Sequence, residues 1–216
     1  MLHLHRFTAL VFILLYATVL YAQPSASTGS TADTNEETVT PYMDQQVRNR
    51  FSIWAGYSFN SATIIGETAN ASLGMLGINY NRRIFEFRKI AFEYSADLNF
   101  FANYDYPEFN QENSRNILQG LGFSPVGFQL NFDDARKVYP YFRSSGGLMV
   151  MEAPFPDNRG TKLNFTFELG AGLEFAIMKH THLFLGYKYH HLSNGETGQI
   201  NPGVDSNLFY GGLTIF

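Results

Sequence analysis

The sequence predicts an all-β chain, an eight-stranded antiparallel transmembrane β-barrel of the outer-membrane type. Three observations carry this. Downstream of residue 46, apolar and polar side chains alternate with period two rather than 3.6. Beyond the N-terminal segment no stretch is long and apolar enough for a transmembrane helix, which needs about 20 residues. The connections between alternating runs are short and long in turn, as periplasmic turns and extracellular loops are in such barrels.

The elements follow in order. Residues 1–6 end in a cation, residues 7–21 are almost wholly apolar, and Ala22 is a small residue at a cleavage point. That layout is a secretory signal peptide over residues 1–22. Residues 23–46 are rich in Ser, Thr, Ala and acidic side chains and read as a disordered periplasmic leader. The barrel then occupies residues 47–216. Strands are expected at 47–59, 71–82, 88–102, 116–132, 137–151, 162–178, 181–192 and 205–216, each longer than the roughly 9–11 residues that a tilted membrane strand requires. The third is the clearest. Ile90, Phe92, Tyr94, Ala96, Leu98 and Phe100 share one parity, and Ala91, Glu93, Ser95, Asp97 and Asn99 the other. In a small membrane barrel the first set faces lipid and the second fills the lumen. Pro125 interrupts the fourth strand, because proline cannot donate to a ladder, and marks either a bulge or a shifted start of that strand. The connections near 83–87, 133–136 and 178–181 are short, and those near 60–70, 103–115, 152–161 and 194–204 are long. Both termini should therefore lie in the periplasm.

The composition limits the chemistry. With no cysteine, an exported chain has no disulfides and no thiol nucleophile, so barrel closure must supply stability. A net charge of −4, without a basic stripe, gives no case for nucleic acid. No His/Asp/Glu spacing suits a metal, and no cofactor is called for.

The last hairpin holds the residues that could do chemistry. Leu183, Leu185, Tyr187, Tyr189, His191 and Ser193 share the lipid-facing parity of the seventh strand. His191 and Ser193, at i and i+2, lie about 6.6 Å apart on one face. An imidazole so placed can take a serine proton during attack on an ester. In the eighth strand Asp205 shares the parity of Phe209, Leu213 and Ile215. It could accept from the second imidazole nitrogen. Against this, His-x-Ser is a common tripeptide, a strand-end pair is often only a solvated rim, and Asp205 could serve the turn after Asn201, Pro202 and Gly203. His190 points to the lumen as a filling residue, and His182 sits at a periplasmic turn.

The stretch His191-Leu192-Ser193-Asn194, with Asn201-Pro202-Gly203-Val204-Asp205-Ser206-Asn207, resembles the lipid A 3-O-deacylases (PagL-type), also called acyloxyacyl hydrolases. Supporting patches are Gly122-Phe123-Ser124-Pro125-Val126-Gly127, Tyr139-Pro140-Tyr141 and residues 164–172. The similarity spans roughly residues 94–216. It implies a bacterial outer-membrane barrel with a lipid-facing hydrolase site, and lipid A of lipopolysaccharide as its substrate and membrane partner. It implies Ser193 as nucleophile, His191 as general base and Asp205 as the acid where family members can carry Glu. It also implies that the backbone around Asn194, with help from Asn201, stabilises the oxyanion.

Lipid A is phosphorylated, yet Arg48, Arg50, Arg82, Arg83, Arg88 and Lys89 fall at the expected periplasmic ends. Only Arg115, Arg159 and Lys162 lie at the other. A non-enzymatic structural or adhesive barrel is therefore the alternative, with a soluble periplasmic β-sandwich or lipid-binding barrel as a third reading. A homodimer is compatible with the sequence.

Overall fold

The computed structural model describes residues 48–108, 114–132 and 138–216. The expected signal peptide and leader, and the turn at 133–136, lie outside the described residues. The strands are β1 (Asn49–Ser58), the two-residue β2 (Ser61–Ala62), β3 (Ser72–Phe87), β4 (Ile90–Pro107), β5 (Arg115–Phe132), β6 (Val138–Phe155), β7 (Thr161–Met178), β8 (Thr181–Ser193) and β9 (Val204–Ile215). Each long strand pairs antiparallel with the next, and β1 pairs with β9, so that the sheet closes on itself as an eight-stranded ring. The closing seam runs from Phe51↔Ile215 to Tyr57↔Phe209. β2 extends it, pairing Ser61↔Ser206 and Ala62↔Asp205. Among the described residues no helix is long and apolar enough to cross a membrane.

The alternation read from the sequence sets which way side chains point. In the first half of β4, Glu93, Ser95, Asp97 and Asn99 are buried while Ile90, Tyr94, Leu98 and Phe100 are exposed. Similar exposed rows of Leu, Ile, Val and Phe encircle the outer wall. A soluble monomer does not carry so much contiguous apolar surface, whereas a barrel in lipid requires it. Two features differ from the strict alternation. β4 continues to Pro107, and a register shift between Asn99 and Ala102 reverses its parity, so that Tyr104 and Tyr106 turn inward. The expected loop at 103–115 is correspondingly shorter. Further on, Phe123 pairs with Leu148 and Val126 with Gly146, so β5 carries one residue more than β6 over this stretch, and Pro125 sits in the bulge. The missing N–H thus falls where the ladder is already interrupted.

The lumen is filled by side chains, as in other eight-stranded barrels. Its half nearest the short turns is ionic. Arg50 donates to Glu93 and Glu174, both at 2.7 Å, and Arg143 donates to Asp97 at 2.5 Å. Further along, Glu168 accepts from Lys188 Nζ at 2.9 Å and pairs with His190 Nδ1 at 2.9 Å, while His190 Nε2 meets the Tyr104 hydroxyl at 2.8 Å. Lys188 also lies 3.8 Å from the centre of the Trp54 ring. Buried charges persist only where they are paired in this way. Toward the long loops the filling becomes apolar, with Leu73, Met75, Met149, Met151, Phe155, Leu192 and Leu208 buried together. His182, expected at a turn, is instead fully buried within β8, bonded to Glu174 at 2.7 Å and stacked on Tyr139. Its parity points inward, and a carboxylate waits there.

Candidate active site on the outer wall

The β8–β9 register places His191 directly opposite Asp205, and Ser193 opposite Phe165 of β7. His191 and Ser193 continue the outward row of Leu185 and Tyr187, at the long-loop end of the hairpin. His191 Nδ1 and Asp205 Oδ1 are 2.6 Å apart. An ionised carboxylate only accepts, so Nδ1 carries the proton of this pair, and in the neutral ring that tautomer leaves the lone pair on Nε2. Asp needs no extra methylene to reach, because its strand partner is the histidine itself.

Asp205 is outward by parity yet fully buried. The connection between β2 and β3 covers it. The backbone N–H groups of Ile64, Ile65 and Gly66 all donate to Asp205 Oδ2, at 2.8, 2.8 and 2.9 Å. The same segment is tied to the β8–β9 loop by Glu67 N–H to Pro202 O at 2.6 Å and Thr68 N–H to Gly203 O at 3.2 Å. Two glycines permit the approach. A Cβ on Gly66 would lie 2.9 Å from Gly203 C, and Gly203 itself has φ +58°, a conformation that favours glycine. Sequence reasoning misses this amide cluster. Backbone donors carry no side-chain signature, and Gly66 and Gly203 are its only trace.

Of the residues singled out from sequence, His191 and Asp205 are brought into contact. Ser193 stands beside them on the same face, at the end of β8, without a hydrogen bond to His191 among the described residues. The two asparagines expected beside the oxyanion bond within their own loop. The Asn194 N–H is donated to Asn201 Oδ1 at 2.9 Å, the Asn194 side chain donates to Ile200 O at 2.8 Å, and Asn201 Nδ2 donates to Glu196 at 3.0 Å. A loop of irregular backbone must satisfy its own polar groups, and these two asparagines do so. They shape the loop beside Ser193 and leave no spare donor at the Asn194 N–H.

The surroundings on the wall are apolar and aromatic: Phe165, Phe167 and Leu169 on β7, Tyr187 on β8 and Phe209 on β9 are exposed. Cations are distributed as the sequence suggested. Arg48, Arg82, Arg88 and Lys89 are exposed at the short-turn end, while Arg50 and Arg83 turn inward. At the long-loop end Arg115 pairs with Asp105, and Arg159 with Asp157, both at 2.6 Å.

The family model for lipid A 3-O-deacylase (PagL) matches residues 74–214. No curated protein sequence matches the chain. Among solved structures, the crystal structure of the outer membrane enzyme PagL is similar, with a TM-score of 0.54 and 16% identity over 78% of this chain and 99% of that one. Neisserial surface protein A (NspA) is also similar, with a TM-score of 0.51 and 15% identity over 77% of this chain and 96% of that one. At these identities the two structures speak for the outer-membrane barrel fold.

Proposed function

Because this chain belongs to the lipid A 3-O-deacylase (PagL) family of outer-membrane β-barrels, we propose that it hydrolyses the ester-linked 3-O-acyl chain of lipid A from the lipid-facing wall. The observation that carries this reading is the His191–Asp205 pair, built outward on a surface otherwise given over to lipid-facing side chains. Polar groups on that face are costly away from the interface, so a hydrogen-bonded imidazole there argues for use.

In the proposed reaction Ser193 Oγ attacks the ester carbonyl as its proton passes to His191 Nε2. The carbonyl oxygen takes up the negative charge, then collapses with loss of the sugar 3-oxygen, which receives the proton from His191. Water, deprotonated by the same nitrogen, then releases the fatty acid from Ser193. Asp205 holds the Nδ1–H tautomer and stabilises the imidazolium. Phe165, Phe167 and Phe209 offer apolar surface along which the acyl chain can lie. The Asn194–Asn201 loop positions the headgroup side of the substrate.

Expression in a host with 3-O-acylated lipid A, followed by mass spectrometry of that lipid, tests the reading. Wild type should remove one acyl chain, and Ser193→Ala or His191→Asn should not. Intact lipid A with folded wild type would remove the hydrolase reading.

The paired state of Arg115 and Arg159 favours a second, non-enzymatic reading as a surface barrel, since few cations at this end are left for phosphates among the described residues. A fluorophosphonate probe separates the two: labelling of Ser193 that is lost in Ser193→Ala counts against a purely structural barrel.

A further inference from the structure

We infer that residues 64–66 are a positioning strap for the catalytic acid: their three backbone N–H groups clamp Asp205 Oδ2 and so aim Oδ1 at His191. The inference rests on the hydrolase reading above and adds to it a part of the machinery contributed by the far side of the closing seam.

The geometry is specific. Three donors converge on one carboxylate oxygen, leaving the other for the imidazole. Such a concavity of successive amides favours an anion. A fully buried carboxylate needs these partners, and with Oδ2 saturated by donors, rotation of the carboxyl group would break three hydrogen bonds. The strap is itself anchored on both sides. Upstream, β2 pairs Ala62 with Asp205 and Ser61 with Ser206. Downstream, Glu67 and Thr68 donate to Pro202 and Gly203 in the loop between His191 and Asp205. Ser61 Oγ further accepts from Ala71 N–H at 3.0 Å, closing the segment on itself. Gly66 is where the strap meets the hairpin, with Gly203 C and Val204 N both 2.9 Å from where its Cβ would lie. The side chains of Ile64 and Ile65 take no part; they stand exposed, away from the carboxylate.

Two variants test the strap. Gly66→Val forces it off Gly203, and Ile65→Pro deletes one of the three donors. Each is made in the full chain, refolded in detergent, and accepted as folded by heat-modifiable gel mobility. Two readouts are followed: hydrolysis of a p-nitrophenyl acyl ester, and the downfield proton resonance of His191 Nδ1–H, assigned by its loss in His191→Asn. The expected result is a fall of about 10²-fold in kcat, the scale of an ångström of misplacement, with the resonance shifted or lost. In an Asp205→Ala background, Gly66→Val should change the residual rate by no more than about threefold, because the strap acts through Asp205. A merely structural loop would lower both backgrounds equally. That result, or folded variants keeping both the rate and the resonance of wild type, overturns the proposal. Should wild type hydrolyse no ester while the His191 resonance still responds to both variants, the hydrolase reading fails and the strap's hold on Asp205 stands.

Discussion

Replacing Asp205 with asparagine (Asp205→Asn) exchanges one oxygen for an NH₂ group and should invert the chemistry of His191. The oxygen of the introduced carboxamide has only one place to go. The three strap amides are donors and demand an acceptor, so the NH₂ must face the imidazole. The opposite orientation would give up three hydrogen bonds worth about 1 kcal/mol each and set donors against donors. With NH₂ opposite it, His191 Nδ1 must become the acceptor, and the proton moves to Nε2, the nitrogen that should receive the Ser193 proton. Loss of the right tautomer in a serine–histidine–acid site costs about 10⁴-fold in kcat, or about 5.5 kcal/mol of transition-state stabilisation. Folding should be nearly unaffected, because the strap keeps its acceptor. Initial rates of 3-O-acyl release from purified lipid A, compared at equal folded concentration, give the number. A variant within tenfold of wild type would refute the tautomer argument, and with it the role of Asp205.

Three further outcomes are expected. Ser193→Ala and His191→Asn should each abolish most of the rate, and the double variant should be no worse than either alone, since nucleophile and base act as a unit; ester-hydrolysis rates of all three check this. Glu168→Gln leaves the Lys188 ammonium buried without its carboxylate and should cost about 3–5 kcal/mol in denaturant unfolding from detergent, while the folded fraction keeps its rate; a cost below about 1 kcal/mol would contradict the lumen account. Gly203→Ala should lose about 1–2 kcal/mol from its left-handed backbone and about tenfold in kcat, because the added Cβ would lie 3.2 Å from His191 Cε1; unfolding and rate measurements on the same preparation separate the two effects.

Period-two alternation is a strong signal where the two faces of a strand have opposite solvents, and it carries most of the architecture. It locates the eight long strands, although β3 runs on through the connection expected at 83–87, and it gives the outward placement of His191 and Ser193 and the inward placement of His190. It fails where register slips. At Asn99/Ala102 the parity of β4 reverses, and nothing in Asn-Phe-Phe-Ala announces it, since two adjacent phenylalanines suit either face. The site is half readable for a similar reason. Parity puts Asp205 on the right face, and the hairpin register then makes it His191's direct partner. Asn194 and Asn201 enter the reading only through the family resemblance, and both bond within their own loop. The strap over Asp205 is invisible in the sequence, because its donors belong to the backbone of residues far away along the chain.

The ionic filling of the lumen also bears on how the barrel is assembled. Arg50 sits near the start of the first strand, yet its carboxylate partners lie 43 and 124 residues later, on β4 and β7. These two partners are far from Arg50 in the chain. Until β4 is in place neither carboxylate is at hand, and until β7 is in place Arg50 lacks its second one, so loop closure over 43 and then 124 residues has to come first. A sheet that reaches β4 offers Arg50 one carboxylate, and one that reaches β7 offers the second. The cation thus acts as a clasp between the first strand and two later ones, and it is complete only when the strand beside the β8–β9 hairpin has joined the sheet.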